Sequence, residues 1–296
     1  MTRSLLDRST LLALLTILLW SSLAALTSRV QSVSPMVLVG LVLFFCGLGA
    51  LPLWRQWRAA TSTWLVTIGA FFGYHLLLFS AFRHAPVLEA NLINYLWPLM
   101  ILLFTPLLLP GHPLGKNHLL AAAMGLSGTV LVMVNGQLQL QWQYLPGYLL
   151  ALGAAVIWGA YSVLSRRLPP APAPVIGACC LLAGVLALVT ARLTEGALPW
   201  QRISTTEWGL IIGLALGPMG AAFITWYLAL RDGDPRRIGI LAYLTPLFST
   251  LLLVLLNGER LTWRHLFAGC LIMGGALLGV LWRRVENRES DRTSPP

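Results

Sequence analysis

The sequence predicts an all-α integral membrane protein of ten transmembrane helices, arranged as two inverted five-helix repeats. Three observations lead there. Of 296 residues, 57% are hydrophobic and only 10% charged, with a mean hydropathy of +0.76, more apolar matter than a soluble chain of this length buries in one core. Ten stretches approach the roughly 20 apolar residues that a helix needs to cross a hydrocarbon layer about 30 Å thick. A five-stretch pattern then occurs twice, each copy carrying Tyr-x-x-Pro in its fourth stretch: Tyr95-Leu96-Trp97-Pro98 and Tyr243-Leu244-Thr245-Pro246.

The stretches lie near residues 10–28, 35–54, 63–82, 87–109, 117–135, 146–165, 174–192, 207–230, 237–256 and 264–282. Turn chemistry separates them: Ser34-Pro35, His84-Ala85-Pro86, Gly111-His112-Pro113, Pro169-Pro170, Asp232-Gly233-Asp234-Pro235 and Asn257-Gly258. The connections are too short for a soluble catalytic or receptor domain. The first stretch lacks a small-residue cleavage site and reads as a span rather than a signal peptide. The repeats are expected over 1–138 and 139–284. Residues 285–296, polar and charged, are expected to be a disordered cytoplasmic tail.

A net charge of +10 suggests a nucleic-acid partner until the positions of the charges are read. With the amino terminus inside, 14 of the 20 Lys and Arg residues flank the inner ends of the stretches and six the outer ends. That bias places both termini in the cytoplasm, and the basic surplus is a topology signal whose partner is the lipid bilayer, not nucleic acid. Cys46, Cys179, Cys180 and Cys270 lie inside spans without metal spacing, so neither a disulfide framework nor a metal site is expected, and no cofactor is implied. They read as small apolar packing residues.

The duplication extends beyond one phrase. Trp20-Ser21 through Arg29 matches Trp158-Gly159 through Arg167, Ala81-Phe82-Arg83 matches Ala229-Leu230-Arg231, and His118-Leu119 matches His265-Leu266. Five is odd, so the second copy enters the membrane from the opposite side. A pseudo-two-fold axis in the membrane plane then puts a cavity between the halves. This order of segments, with Gly258-Glu259 closing the ninth, resembles the EamA unit of the drug/metabolite transporter (DMT) superfamily, over about Leu11 to Trp282. The segment Glu89-Ala90-Asn91-Leu92-Ile93-Asn94-Tyr95-Leu96-Trp97-Pro98 is similar to the fourth helix of the YddG-type aromatic amino-acid exporters within it. His112 stands where the second copy has Glu259, a departure from an acid in both halves. The resemblance implies alternating access and export of aromatic or other neutral amino acids across a bacterial inner membrane.

The residues supply their own case for a site. On the fourth helix Asn91, Asn94, Tyr95 and Pro98 share an arc of roughly 100°, while Trp97 stands nearer the face of Glu89 and Ile93. Two amides and a phenol cannot face lipid cheaply, so the stripe turns inward. Pro98 and Pro246 remove the hydrogen bonds that would reach the carbonyls of Asn94 and Ala242, freeing acceptors at membrane depth, unless both prolines merely kink their helices. Trp20, Tyr74, Tyr95, Trp97, Trp158, Tyr161, Trp226, Tyr227 and Tyr243 lie deep in spans; singly each fits core packing, together they fit an aromatic-lined pocket. Trp54, Trp57, Trp64, Trp142, Trp200, Trp208, Trp263 and Trp282 sit at segment ends as interface anchors.

His75 is either a structural histidine or a proton carrier and substrate partner, and Glu89 either a gating or coupling acid or a helix amino-terminal residue favoured by the dipole. Asp232, Asp234, Arg236 and Arg237 read as a solvated turn. Small-residue stripes, Gly209, Gly213 and Gly217 on the eighth helix and Gly147, Ala151, Ala155 and Gly159 on the sixth, predict close helix contacts. The substrate-binding candidates are therefore Trp20, Tyr74, His75, Asn94, Tyr95, Trp97, Trp158, Tyr161 and Tyr243, with Glu89, Pro98 and Pro246 for gating and helix breaks.

No Gly-x-Ser-x-Gly, His-Glu-x-x-His or Walker sequence is present, which argues against an enzyme. A receptor or structural protein leaves the inverted duplication unexplained. The alternative cargo for such an exporter is a nucleoside, a cationic drug or another aromatic compound. Ring-sized apolar lining with few buried acids argues against a dication or a sugar phosphate, and leaves tryptophan and threonine undivided.

Overall fold

The computed structural model describes residues 7–134, 140–197, 200–257 and 262–293, with the side chains of 257 and 280–293 outside the description. All its described secondary structure is helical, because apolar backbone in lipid must satisfy its polar groups within its own segment. The helices are α1 (Arg8–Ser21), α2 (Leu23–Thr27), α3 (Pro35–Leu48), α4 (Thr61–His84), α5 (Val87–Asn94), α6 (Trp97–Leu108) and α7 (Lys116–Met133). They continue as α8 (Leu145–Leu164), α9 (Ala173–Glu195), α10 (Thr205–Leu214), α11 (Ala222–Asp232), α12 (Pro235–Ala242), α13 (Leu244–Asn257) and α14 (Trp263–Thr293). The Gly258-Glu259 motif and the 138/139 boundary lie outside the described residues.

Local chemistry sets the starts. Asp7 caps α1 by accepting from the Thr10 N–H at 2.9 Å, Ser34 caps α3 ahead of Pro35, and Ser204 with Glu207 forms a capping box on α10. Among the described residues, seven helical runs are long and apolar enough to cross a membrane: 8–27, 61–84, 87–108, 142–164, 173–195, 205–232 and 235–256. That is fewer than the ten expected. Pro35–Leu48 is apolar but short, since the chain leaves the α-helix at Gly49 and Ala50 for an exposed 3-10 turn at Leu51–Gln56. In α7, Lys116, Asn117 and His118 occupy the first turn and lower the apolar average. α14 runs as helix to Thr293, over residues whose composition reads as disordered; adding turns to a nucleated helix costs little.

The most extensive packing runs between the two halves of the chain. α3 lies along α9, α7 along α14, α4 along α8 and α1 along α11. α6 crosses α12 so closely that a Cβ on Gly239 would sit 3.2 Å from the Pro98 carbonyl oxygen. The sixth-helix stripe does make close contacts: a Cβ on Gly159 would lie 2.4 Å from Met100 Cβ, and one on Gly147 2.5 Å from Ala85 Cβ. The eighth-helix stripe does not. A Cβ on Gly209 or Gly213 meets nothing within 4 Å, because that face of α10 has no helix against it. Gly159→Leu is therefore expected to lower the Tm in detergent by an equivalent of about 1–3 kcal/mol, while Gly213→Ala leaves it unchanged or slightly raised.

Four interruptions shape the interior. α1 yields to α2 at Ser22, α5 to α6 at Tyr95-Leu96, α12 to α13 at Tyr243, and a wide π-helical turn at Ala215–Ala221 around Pro218 separates α10 from α11. Each proline lacks the N–H that a continuous helix would use, so the chain opens where Pro98, Pro218 and Pro246 stand.

Candidate functional site

A cavity of about 890 Å³ opens among α1–α2, α3, α4, α5–α6, α8 and α13, within the roughly 300–1,000 Å³ usual for small-molecule sites. Its floor is aromatic. The Trp20 ring stands edge-on to Trp97 (5.9 Å between centroids) and to Trp158 (5.8 Å), and tilted against Trp226 (5.0 Å). Trp226 is fixed behind it by an N–H bond to the Ser162 hydroxyl at 3.1 Å. The indole N–H groups of Trp20, Trp97 and Trp158 make no hydrogen bond among the described residues, although all three rings line the cavity. They are donors without a protein partner, on residues that line the cavity.

One wall is polar. α4 presents Tyr74, His75, Leu78, Phe82 and Arg83 on a stripe of i, i+3 and i+4 spacing. The Asn94 amide N–H donates to the Tyr74 hydroxyl at 3.2 Å, while Asn94 Oδ1, in a residue 4% exposed, has no partner. An unmet buried acceptor in a residue that lines the cavity costs about 1–3 kcal/mol if nothing ever fills it, so it invites a donor from a ligand. His75 Nδ1 lies 2.6 Å from the Phe71 carbonyl oxygen. Tyr95 completes this wall from the break between α5 and α6.

The cavity reaches one end of the bundle. Its lining reaches Ser28, Pro35, Val87, Arg83, Thr194 and Glu195, residues at the same ends of α2, α3, α5, α4 and α9. There Arg83 pairs with Glu195, which also accepts from the Ser34 hydroxyl. At the opposite end the halves are tied together. Arg237 approaches Asp7 at 3.4 Å, and Arg236 binds Asp234 at 2.8 Å and the Pro113 carbonyl at 2.6 Å. Arg236 and Arg237 are 8% and 7% exposed, which corrects the expectation of a solvated turn: α12 begins beneath the amino terminus of α1, whose capping acid draws Arg237 inward. Burial pulls the Asp7 carboxyl up, but bonds from the Thr10 hydroxyl and N–H and the Ser9 hydroxyl, with the Arg237 charge, hold it down at about 2.

Of the candidates read from sequence, Trp20, Tyr74, His75, Asn94, Tyr95, Trp97 and Trp158 all line this one cavity. Tyr161 does not; it lies behind the wall, 5.6 Å from Trp158 and 5.3 Å from Phe71. Tyr243 packs over α7, where a Cβ on Gly125 would meet its ring at 2.6 Å. Glu89 is buried off the wall with Oε2 unpartnered, and Pro98 and Pro246 follow the breaks without lining the space. Sequence reasoning missed the α3 wall of Met36, Val39 and Val42, the ring of Phe223, and Thr245. Thr245 carried a signal: it occupies the position that Trp97 holds in the first copy.

A helix-broken, two-part bundle around an aromatic cavity agrees with what comparison of the sequence finds. The EamA-like transporter family matches twice, over residues 8–134 and 145–281. The chain belongs to the EamA-like transporter family. Within it, the chain is 38% identical to an aromatic amino acid exporter YddG of Ancylobacter novellus, over 93% of this chain and 98% of that one. It is 26% identical to the protein of the same name from Escherichia coli K12, over 92% and 96%. A solved crystal structure with 39% identity superposes at a TM-score of 0.87, covering 94% of this chain and 98% of that one. This EamA-like chain is thus a multi-pass membrane transporter whose cavity lies where the two family units meet.

Proposed function

We propose that the protein exports aromatic and other neutral amino acids across the bacterial inner membrane by alternating access through this cavity. The helices join into ten crossing rods, with α1–α2, α5–α6, α10–α11 and α12–α13 each one interrupted rod. Residues 1–138 and 139–284 form two inverted repeats, and both termini are cytoplasmic. The packing supports the inversion, since the pairing of α4 with α8 has its counterpart in that of α11 with α1. In this topology the open end faces outward and the Asp7–Arg237 end faces the cytoplasm.

The observation that carries the reading is the cavity's pairing of a ring-lined floor with the unpartnered Asn94 Oδ1. A flat side chain fits between Trp97 and Trp158, the ammonium meets Asn94 Oδ1, and the carboxylate takes donors from the indole and phenol groups. A cationic cargo fits less well. The one carboxylate among the residues lining the cavity is Glu195, already paired with Arg83 at the mouth.

The test is counterflow of labelled tryptophan, phenylalanine and threonine in proteoliposomes. Saturable exchange is expected, with tryptophan and phenylalanine preferred. Asn94→Ala, which removes one charge-assisted bond of about 1.5–3 kcal/mol, is expected to raise the apparent KM for tryptophan about 10- to 100-fold. No counterflow of any of the three amino acids sinks the proposal.

A further inference from the structure

His75 sits on the cavity wall with its two ring nitrogens in different situations. Nδ1 is 2.6 Å from the carbonyl oxygen of Phe71. A carbonyl oxygen only accepts, so Nδ1 is the nitrogen that carries hydrogen. In the neutral ring, Nε2 is then a lone pair. It has no hydrogen-bond partner among the described residues, and its ring lines the cavity beside Tyr74 and Asn94. The neutral histidine therefore offers the cavity an acceptor, which suits an ammonium group.

Nε2 has one lone pair and two cations that want it. We propose that the substrate ammonium and a proton compete for His75 Nε2, so that the transporter exchanges one proton entering the cell for each amino acid leaving it. This deepens the function proposed above and rests on it. When the ammonium departs from the outward-facing cavity, Nε2 takes a proton from the water there, and the ring becomes an imidazolium with both nitrogens protonated. The imidazolium repels a second ammonium, so the carrier returns with the proton. Arrival of a substrate ammonium at the inner face favours the neutral ring, and the proton leaves to the cytoplasm. Each cycle moves one positive charge inward, because the amino acid is a zwitterion.

The surroundings isolate this group. From α4 and α5 the titratable neighbours in the cavity are Tyr74 and Tyr95, and from α8 Tyr161 lies behind Trp158. From α11, Phe223 faces the imidazole at 6.4 Å and carries no charge. Arg83 and Glu195 at the mouth are paired with each other. Glu89 of α5 is buried off the cavity wall. Among the residues that line the cavity, His75 is thus the one imidazole, a group that can take up and give back a proton on Nε2.

Binding that expels a proton is read directly. Tryptophan is added to the purified protein in weak buffer with a pH dye, scanning about pH 4 to 8, a range that brackets the titration of imidazoles. The wild type is expected to release a proton from a measurable fraction of the molecules that bind tryptophan at the low end of the scan and none at the high end. His75→Gln, which has no imidazole to titrate, is expected to weaken tryptophan binding and to release no proton at any pH for whatever tryptophan it still binds at saturating concentration. Should His75→Gln fail to fold, the wild-type titration decides alone. Tryptophan binding without proton release across the whole scan overturns the coupling and leaves amino-acid transport standing. Absence of tryptophan binding and counterflow together overturns both.

Discussion

Trp97→Ala is expected to abolish saturable tryptophan exchange at micromolar to low millimolar substrate while the protein remains folded. Trp97 is packed on both flanks, 5.9 Å from Trp20 and 5.6 Å from Trp226, and one of its faces lines the cavity. Packing a substrate ring against that face removes on the order of 50–80 Å² of apolar surface from water, most of it the substrate's own since Trp97 is 5% exposed, about 1.5–2 kcal/mol, and ring-on-ring geometry adds about 0.5–1.5 kcal/mol. Losing about 2–3 kcal/mol raises the apparent KM roughly 30- to 150-fold. The alanine also lets Trp20 and Trp226 relax into the space, so a second variant separates packing from contact. Trp97→Phe keeps a flat plate and is expected to stay within about tenfold of the wild type. Counterflow in proteoliposomes measures both, with thermal melting in detergent as the check on folding. Exchange by Trp97→Ala with an unchanged KM removes this cavity as the substrate path.

The parts of this molecule that were legible in sequence are those set by groups a residue carries or lacks by itself. Pro98 has no N–H whatever surrounds it, so the break between α5 and α6 follows from the sequence, as does the matching break before Pro246. Asn94, Tyr74 and His75 cannot face lipid cheaply, so their inward direction was readable too. The rest depended on what stands opposite. Met36, Val39 and Val42 on α3 line the cavity, but an apolar residue facing a cavity looks the same in sequence as one facing lipid. Gly159 and Gly213 belong to identical-looking stripes, and only the backbone of α6 against one and open space against the other tells them apart. Pro218 marked the wide turn between α10 and α11, a signal as plain as Pro98 yet without a counterpart in the other repeat to draw notice. Arg236 and Arg237 sit in a charged turn beside Asp232 and Asp234, and their burial follows from Asp7, which is 230 positions away from Arg237 along the chain.

That distant pair carries the second large effect. In the proposed topology Asp7→Asn is expected to shift the carrier toward the inward-open state, because the carboxylate joins the start of α1 to the start of α12 at the end proposed to face the cytoplasm. Removing one partner of a buried ion pair costs about 3–5 kcal/mol; Asp7 is partly solvated, which reduces this to about 2 kcal/mol, or roughly 30-fold in the ratio of closed to open. A cysteine at Ile238, now 1% exposed just past Arg237, in a background without the four native cysteines, is expected to react correspondingly faster with an impermeant maleimide applied from the cytoplasmic side. Swapping the charges, Asp7→Arg with Arg237→Asp, is expected to restore protection. The sign with pH follows from the depressed carboxyl. Asp7 is charged above its ordinary value, so its contribution is fully present there and is lost only as pH falls through about 2. The inner closure therefore holds over the range in which imidazoles titrate, and a wild-type proton effect between about pH 4 and 8 arises inside the cavity rather than at this latch. Unchanged labelling in both Asp7→Asn and Arg237→Gln means that the ion pair ties the helix ends without controlling access.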